Sequence, residues 1–279
     1  MTTSAAVYPL KINFEIPVSK DIRLLRFVYL FILSGKKIHF IDTGVADGLP
    51  QVKTFLKKTG RKLSEVQNIL LTHSHPDHIG AAKLIQQKSG CKIIAGKKEQ
   101  SWIENTELQY KQRPVPGFHH LVAGSVKVDV PVKEGDIIKP EEHTTIRVLS
   151  TPGHSAGSVS FFLEEQKALF SGDAILLPGE IPIFDDIEAY FRSLDKIEAI
   201  QPKVIYSAWD EPRFQNEIPG LLKQSKNYIS QIKNTVQKVA RKNTDIQSMD
   251  FCKAVLKEMR LNEQIANPLL MKTFSACLK

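Results

Sequence analysis

The segment Asn68-Ile69-Leu70-Leu71-Thr72-His73-Ser74-His75-Pro76-Asp77-His78 runs an apolar stretch into three histidines and an aspartate within six positions. The whole chain has only eight histidines, so this clustering is a strong constraint. The apolar stretch predicts a strand, and Ile79-Gly80-Ala81-Ala82 leads on into a helical pattern, which places the cluster on a strand-to-helix loop. Side chains alternate across an extended backbone, so His73 and His75 share a face. Asp77 and His78 lie past the turn and aim at a neighbouring point. Neutral imidazoles with a carboxylate suit Zn, Fe or Mn better than Ca or Mg. A lone histidine is ordinarily a surface or core residue; three in six positions favour a metal site.

Two further junctions repeat the pattern. Ile146-Arg147-Val148-Leu149 precedes Thr151-Pro152-Gly153-His154, and Leu169-Phe170 precedes Ser171-Gly172-Asp173. Each polar donor stands where a hydrophobic strand stops, so all of them can open onto one edge of a sheet sandwich. HxHxDH, a Gly-His loop and a Ser-Gly-Asp, preceded by Phe40-Ile41-Asp42-Thr43-Gly44, resemble the metallo-β-lactamase superfamily across residues 20 to 215. The resemblance implies an α/β fold, an αββα sandwich with the metals at one edge. It implies His73, His75 and His154 as ligands of a first metal, Asp77 and His78 as ligands of a second, and Asp173 as the bridging carboxylate. Asp42 and Gly44 match a motif that supports the ligand loops.

One stretch departs from the family pattern. A histidine usually closes the second metal after a late strand; here the sequence reads Val204-Ile205-Tyr206-Ser207-Ala208-Trp209-Asp210-Glu211-Pro212, and no histidine follows His154. Indole nitrogen is a donor only and cannot ligate a cation. Either Asp210 supplies an oxygen ligand, or the second metal is held by fewer protein groups. In a third reading Trp209 walls the pocket and Asp210 caps the next helix ahead of Pro212.

The function implied by the resemblance is a metal-dependent hydrolase that turns a metal-bound hydroxide on an ester, thioester or lactone-type small molecule. Its cofactors are two divalent ions, zinc first, with Fe or Mn as alternatives and a weaker second site. Asp77 is the expected catalytic residue, orienting the nucleophile and carrying a proton to the leaving group. Two other classes stay open: an iron enzyme of the same fold doing oxygen or sulfur chemistry, and a decayed site serving as a binding protein. Against the last, nearly the whole ligand set remains together.

With 279 residues, 42% of them hydrophobic, the chain can bury a sizeable core in one large domain with a small appendage. The expected division is a sandwich domain over 1–218 and a helical extension over 219–279. Cys91, Cys252 and Cys277 form no CxxC pair or even framework, which favours a reducing compartment. The N-terminus lacks a basic stretch followed by an apolar one, and Phe27 to Leu33 is too short to span a bilayer, so a cytoplasmic protein without a membrane partner is expected. The net charge of +8 is spread as single lysines, densest from Lys223 to Lys242. Leu222, Ile229, Ile232, Val236 and Val239 give that segment one apolar helical face, so its lysines read as a solvated face rather than a nucleic-acid site. The expected partner is a small-molecule substrate.

Elsewhere the pattern predicts strands up to residue 45, a helix from Leu49 to Gly60, a second from Ile79 to Gln87, and a strand from Cys91 to Ala95. Pro114, Pro116 and Gly117 predict a long irregular insert from Asn105 to Gly124, where His119 and His120 read as an exposed pair. Strand character returns from Val126 to Val132 and from Ile146 to Asp173, and Ile187 to Ile200 reads as helix. After Pro219-Gly220 the chain reads as helices, including Phe251 to Met259 and Pro268 to Phe274, open to packing over the active-site edge or to a homodimer contact.

Overall fold

The computed structural model describes residues 5–17, 23–242 and 245–278. Strands β1 (Ala6–Pro17), β2 (Arg23–Ser34) and β3 (Ile38–Ile41) lead to helix α1 (Leu49–Lys58), β4 (Val66–Leu71), the one-turn α2 (Pro76–Ile79) and α3 (Ala82–Ser89). Next come β5 (Lys92–Gly96), α4 (Gln100–Glu104), α5 (Thr106–Gln112), α6 (Phe118–Leu121) and β6 (Val130–Val132). Then follow β7 (Ile137–Glu141), β8 (Thr144–Ser150), β9 (Val159–Leu163), β10 (Ala168–Gly172), α7 (Ile187–Ala199), β11 (Val204–Ser207) and β12 (Arg213–Phe214). The chain closes with α8 (Ile218–Ala240), α9 (Met249–Glu258) and α10 (Pro268–Ala276).

Contacts divide the chain into two compact units. One comprises Met1–Ser150, Gly157–Gly172 and Pro202–Pro212; the other comprises Thr151–Ala156, Asp173–Gln201 and Arg213–Lys279.

The first unit holds both sheets. One runs β1-β2-β3-β4-β5-β6, and within this unit the other runs β11-β10-β9-β8-β7. The long apolar run in β2 is explained by burial on both faces. Val28, Leu30 and Ile32 join a core that includes Val52 and Leu56 of α1 and Ile85 of α3. Tyr29, Phe31 and Leu33 join the core between the sheets, where Ile41, Leu70 and Ile94 of one sheet share a cluster with Val148, Phe161 and Phe170 of the other. The period of two along a pleated strand sends alternate residues to these two cores. The fold is an αββα sandwich of the α/β class.

Strand polarity positions the functional loops. β3, β4 and β5 are mutually parallel, with Ile41 opposite Leu70 and Leu71 opposite Ala95. Their C-terminal ends therefore lie on one edge, and Asp42, Thr72 and the Gly96–Glu99 turn all emerge there. In the second sheet β9 runs antiparallel to both β8 and β10, and β11 runs parallel to β10. The ends of β8, β10 and β11 thus also share an edge. The carboxyl ends of parallel strands are where α/β sheets place ligands.

In the second unit, Ile218 starts α8 with Pro219 in its first turn, and α8 packs on α7 and α9. Ser225 Oγ accepts from Leu176 N at 3.2 Å, and Tyr228 Oη donates to Glu180 O at 2.9 Å, so the last helices are bonded to the 173–201 segment.

Three local expectations are corrected. The insert from Asn105 to Gly124 is helical, not irregular: Asn105 caps α5 by accepting from Leu108 N, and Gly117, with φ +70, starts α6. The helix predicted from Ile79 to Gln87 is split, because α2 ends at Ile79 and α3 begins only at Ala82. The strand predicted from Val126 shrinks to Val130–Val132, since Val126 and Val128 pack into the first-sheet core from a non-strand segment.

Candidate metal centre

Within the first unit, the HxHxDH loop is built around buried imidazoles. His73, His75 and His78 are all buried. The His73 ring lies 4.4 Å from that of His75 and 4.0 Å from that of His78, centroid to centroid. Asp77 is more open, and its Oδ2 lies 3.8 Å from His78 Nε2.

Asp42 organises this loop. It sits after β3 with φ +60, a left-handed conformation that aspartate tolerates better than most residues. Its Oδ1 accepts from Thr72 N and its Oδ2 from Thr72 Oγ1, both at 2.8 Å. Oδ2 also lies 2.8 Å from His78 Nδ1. Thr43 holds the same histidine by its backbone, its N and Oγ1 each donating to His78 O at 2.8 Å.

These bonds fix protons. A carboxylate only accepts, so His78 Nδ1 carries the hydrogen and its Nε2 carries the lone pair. Thr72 gives its own proton to Asp42 and accepts from His73 Nδ1 at 3.1 Å. His73 Nε2 therefore carries a lone pair too. Gly172 (φ +52) is required beside this threonine, because a Cβ there would come within 2.7 Å of Thr72 Oγ1.

The second unit contains a matching arrangement. His154 Nδ1 donates to Ile183 O at 2.8 Å, again leaving Nε2 as the lone-pair atom. That atom lies 3.2 Å from Asp173 Oδ2, and both side chains are nine-tenths buried. Donors bound tetrahedrally at about 2.1 Å lie ~3.4 Å apart, so this spacing suits two ligands of one cation. Tyr190 Oη donates to Asp173 O at 2.6 Å, and Gly153 packs so closely on Tyr190 that a Cβ would meet its Cα at 2.6 Å. Burial, then the charge of Asp173, pushes the Tyr190 phenol well above its usual range, so it stays a neutral donor.

The comparisons with known proteins agree. The sequence profile of the metallo-beta-lactamase superfamily matches residues 24–209.

The chain belongs to the metallo-beta-lactamase superfamily.

The beta-lactamase-like protein 2 homolog of Drosophila melanogaster is 32% identical over 237 residues, covering 81% of this chain and 72% of that protein. A hydroxyacylglutathione hydrolase of Hyphomonas neptunium is 27% identical over 244 residues, covering 81% and 85%. Among solved structures, a metallo-beta-lactamase family protein of Thermus thermophilus has a TM-score of 0.72 at 19% identity, covering 95% of this chain and 91% of the other. The subclass B3 metallo-beta-lactamase BJP-1 of Bradyrhizobium japonicum has a TM-score of 0.59 at 20% identity, covering 84% and 96%. As a member of this superfamily the protein is a metal-dependent hydrolase.

The departure at residue 209 is explained by packing. Trp209 joins the first-sheet core, lies 6.0 Å from Phe27 and carries the Arg26 guanidinium 4.4 Å from its ring centre. Asp210 does not cap a helix, because β12 intervenes and α8 begins only at Ile218. Its charge is felt by the Tyr29 phenol, which burial and a hydrogen bond to Glu211 push upward. His119 and His120 pair with Glu107 and Asp47 at the surface, as expected of an exposed pair. No helix among the described residues is long and apolar enough to cross a membrane.

Sequence reasoning missed Thr72, Thr43 and Tyr190. Thr72 had a signal, as the last residue before the first histidine at a strand end. Tyr190 stands in a stretch, Tyr190-Phe191-Arg192-Ser193-Leu194, whose helix resembles one common in hydrolytic members, but its role arises from the return of α7 onto the Gly153 loop.

Proposed function

We propose that this protein is a dinuclear zinc hydrolase acting on small ester, thioester or lactone substrates. In this reading His73, His75 and His154 hold one ion, and His78, Asp77 and Asp173 hold the other, with Asp173 shared between them. The observation that carries it is the set of fixed tautomers: three imidazoles each commit Nδ1–H to an acceptor and present Nε2. Such committed partners are what metal-ligating histidines use. Chain continuity supports one centre, since Asp173 directly follows Gly172, and Gly172 abuts Thr72, the residue before His73.

Bound zinc supplies Lewis acidity and brings the pKa of a coordinated water to about 7. Asp77, the most open member of the HxHxDH group, is the residue able to meet substrate and shuttle a proton to the leaving group. Asp210 is the proposed oxygen ligand in place of the absent histidine. A thioester is favoured among substrates because several relatives are named hydroxyacylglutathione hydrolases. The surplus of 38 basic over 30 acidic residues suits an anionic substrate. We further propose a cytoplasmic location, and a contiguous division into a catalytic core over 1–218 and a helical extension over 219–279.

The test combines elemental analysis of protein purified without added metal with a panel of S-acyl thioesters, esters and lactones. The expected result is about two zinc ions per chain and thioester turnover that a chelator removes and zinc restores. Iron as the resident metal, or loss of no activity on chelation, would overturn the proposal.

A further inference from the structure

We infer that Glu99 is a positioning residue for the metal loop, locking the His73-Ser74-His75 backbone from beneath; this rests on the metal reading above. Glu99 follows the turn after β5 and is buried at 5% exposure. Its Oε2 accepts from Ser74 N at 3.0 Å and also from Ser74 Oγ in a short bond. Its Oε1 accepts from Gly157 N at 2.8 Å. One carboxylate thus binds the residue between two candidate ligands and the residue that leads into β9, three positions after His154.

Gln109 completes the brace. Its Nε2 donates to Ser74 O at 2.5 Å, so the N–H, the hydroxyl and the carbonyl of Ser74 are all engaged by buried side chains. Neither contact reaches a ligand atom, yet together they set the peptide planes on which His73 and His75 stand. The sequence is tailored to the brace: a Cβ on Gly157 would come within 2.6 Å of Glu99 Oε1, and one on Gly96 within 2.6 Å of Gly157 O. Both glycines permit the approach of backbone to carboxylate.

A carboxylate can accept from all three donors, whereas an amide cannot. Glu99→Gln keeps the shape but turns an NH2 group toward either Ser74 or Gly157, donor against donor. Supporting partners of metal ligands typically contribute about 10–100-fold to metal affinity.

The experiment measures the zinc Kd by chelator competition and the visible absorption of the Co(II)-loaded protein. Wild type is compared with Glu99→Gln, Ser74→Ala and Asp129→Asn. Asp129 accepts from Ile93 N at 2.8 Å, a carboxylate that supports the strand β5. Glu99→Gln is expected to raise the zinc Kd about 10–100-fold and to alter the Co(II) bands. Ser74→Ala, which loses only the hydroxyl, should do the same to a smaller degree and serves if Glu99→Gln does not fold. Asp129→Asn should lower the melting temperature and leave Kd and spectrum at wild-type values. Wild-type zinc binding with unchanged Kd and bands in the Glu99 or Ser74 variant overturns the inference, as does an equal loss in Asp129→Asn. A wild-type protein that takes up no zinc overturns the metal reading itself.

Discussion

Asp42→Asn separates metal binding from folding, because it changes which nitrogen of two imidazoles carries a proton. Asparagine tolerates the left-handed backbone at residue 42, so the main chain is undisturbed. Its oxygen can still accept from Thr72 N, but its NH2 then replaces Oδ2, the atom that faces both Thr72 Oγ1 and His78 Nδ1. To satisfy that NH2, His78 must accept at Nδ1 and move its proton to Nε2. Thr72 must accept from the amide and donate to His73, which pushes the His73 proton to Nε2 as well. The metal-free protein thus keeps its hydrogen bonds by rearranging them, and its unfolding free energy should change by less than about 1 kcal/mol. Metal binding must undo the rearrangement and leave two buried donors without acceptors, at about 1–3 kcal/mol each. A total of about 2–6 kcal/mol corresponds to a zinc Kd raised at least ~30-fold, at 1.4 kcal/mol per factor of ten. Chelator competition gives the Kd, and urea unfolding of the metal-free protein gives the stability. A wild-type Kd, or a stability loss as large as the binding loss, would refute the reasoning.

His75→Ala should abolish turnover and lower bound metal while circular dichroism stays that of the wild type, since the cores lie away from the loop; unchanged metal content and activity would sink the assignment of that ligand. Asp210→Ala should lower occupancy of the weaker ion, whereas Trp209→His should leave it tolerated or raised; full activity and metal content in Asp210→Asn count against the oxygen-ligand idea. Stability of the metal-free protein should also fall in mild acid because of His39. Burial lowers the His39 pKa, outweighing the opposing hydrogen bond and charge of Glu141, whose Oε1 lies 3.4 Å away. The unfolded chain binds the proton near the usual value of about 6.5 and the folded chain does not, so this contribution is intact above ~6.5 and is lost as pH falls toward the folded pKa. Urea unfolding between pH 7.5 and pH 5.5 should show a shallower decline in His39→Gln; an identical slope would remove His39 from the account.

How much of this was legible in the sequence depended on whether a residue's role is local. The strand feeding HxHxDH, the glycine-bearing loop of His154 and the Ser171-Gly172-Asp173 junction are contiguous signals, and the structure places each at a strand end. The insert after β5 reads as irregular in sequence yet folds as helix, because Pro114, Pro116 and Gly117 sit between helices rather than within one, and Asn105 caps α5 just ahead of them. Roles such as those of Glu99, Gln109 and Tyr190 depend on meetings between distant segments. Glu99 and Gly157 are 58 residues apart in sequence, and nothing local in Lys97-Lys98-Glu99-Gln100 distinguishes a buried acceptor from a solvated charge.

At residue 209, where the family pattern implies a histidine, this chain packs a tryptophan against the first-sheet core. The backbone there remains tied into the strand edge: Ala208 N donates to Gly172 O at 3.2 Å and Ala208 O accepts from Tyr29 N at 2.8 Å. The next side chain, Trp209, is committed to packing. An indole offers no lone pair to a cation but a large face to a guanidinium, and Arg26 occupies that face at 4.4 Å. Tyr29 Oη donates to Glu211 at 2.5 Å, and Lys11 lies 3.8 Å from the same carboxylate, so residue 209 anchors to β2 and residue 211 to β1 and β2. The loop after β11 is fastened to the first sheet by an aromatic and an acid. Asp210 stands between those two anchors, so its place in the chain is fixed from both sides, which is the rigidity that its proposed role as an oxygen ligand of the second ion requires.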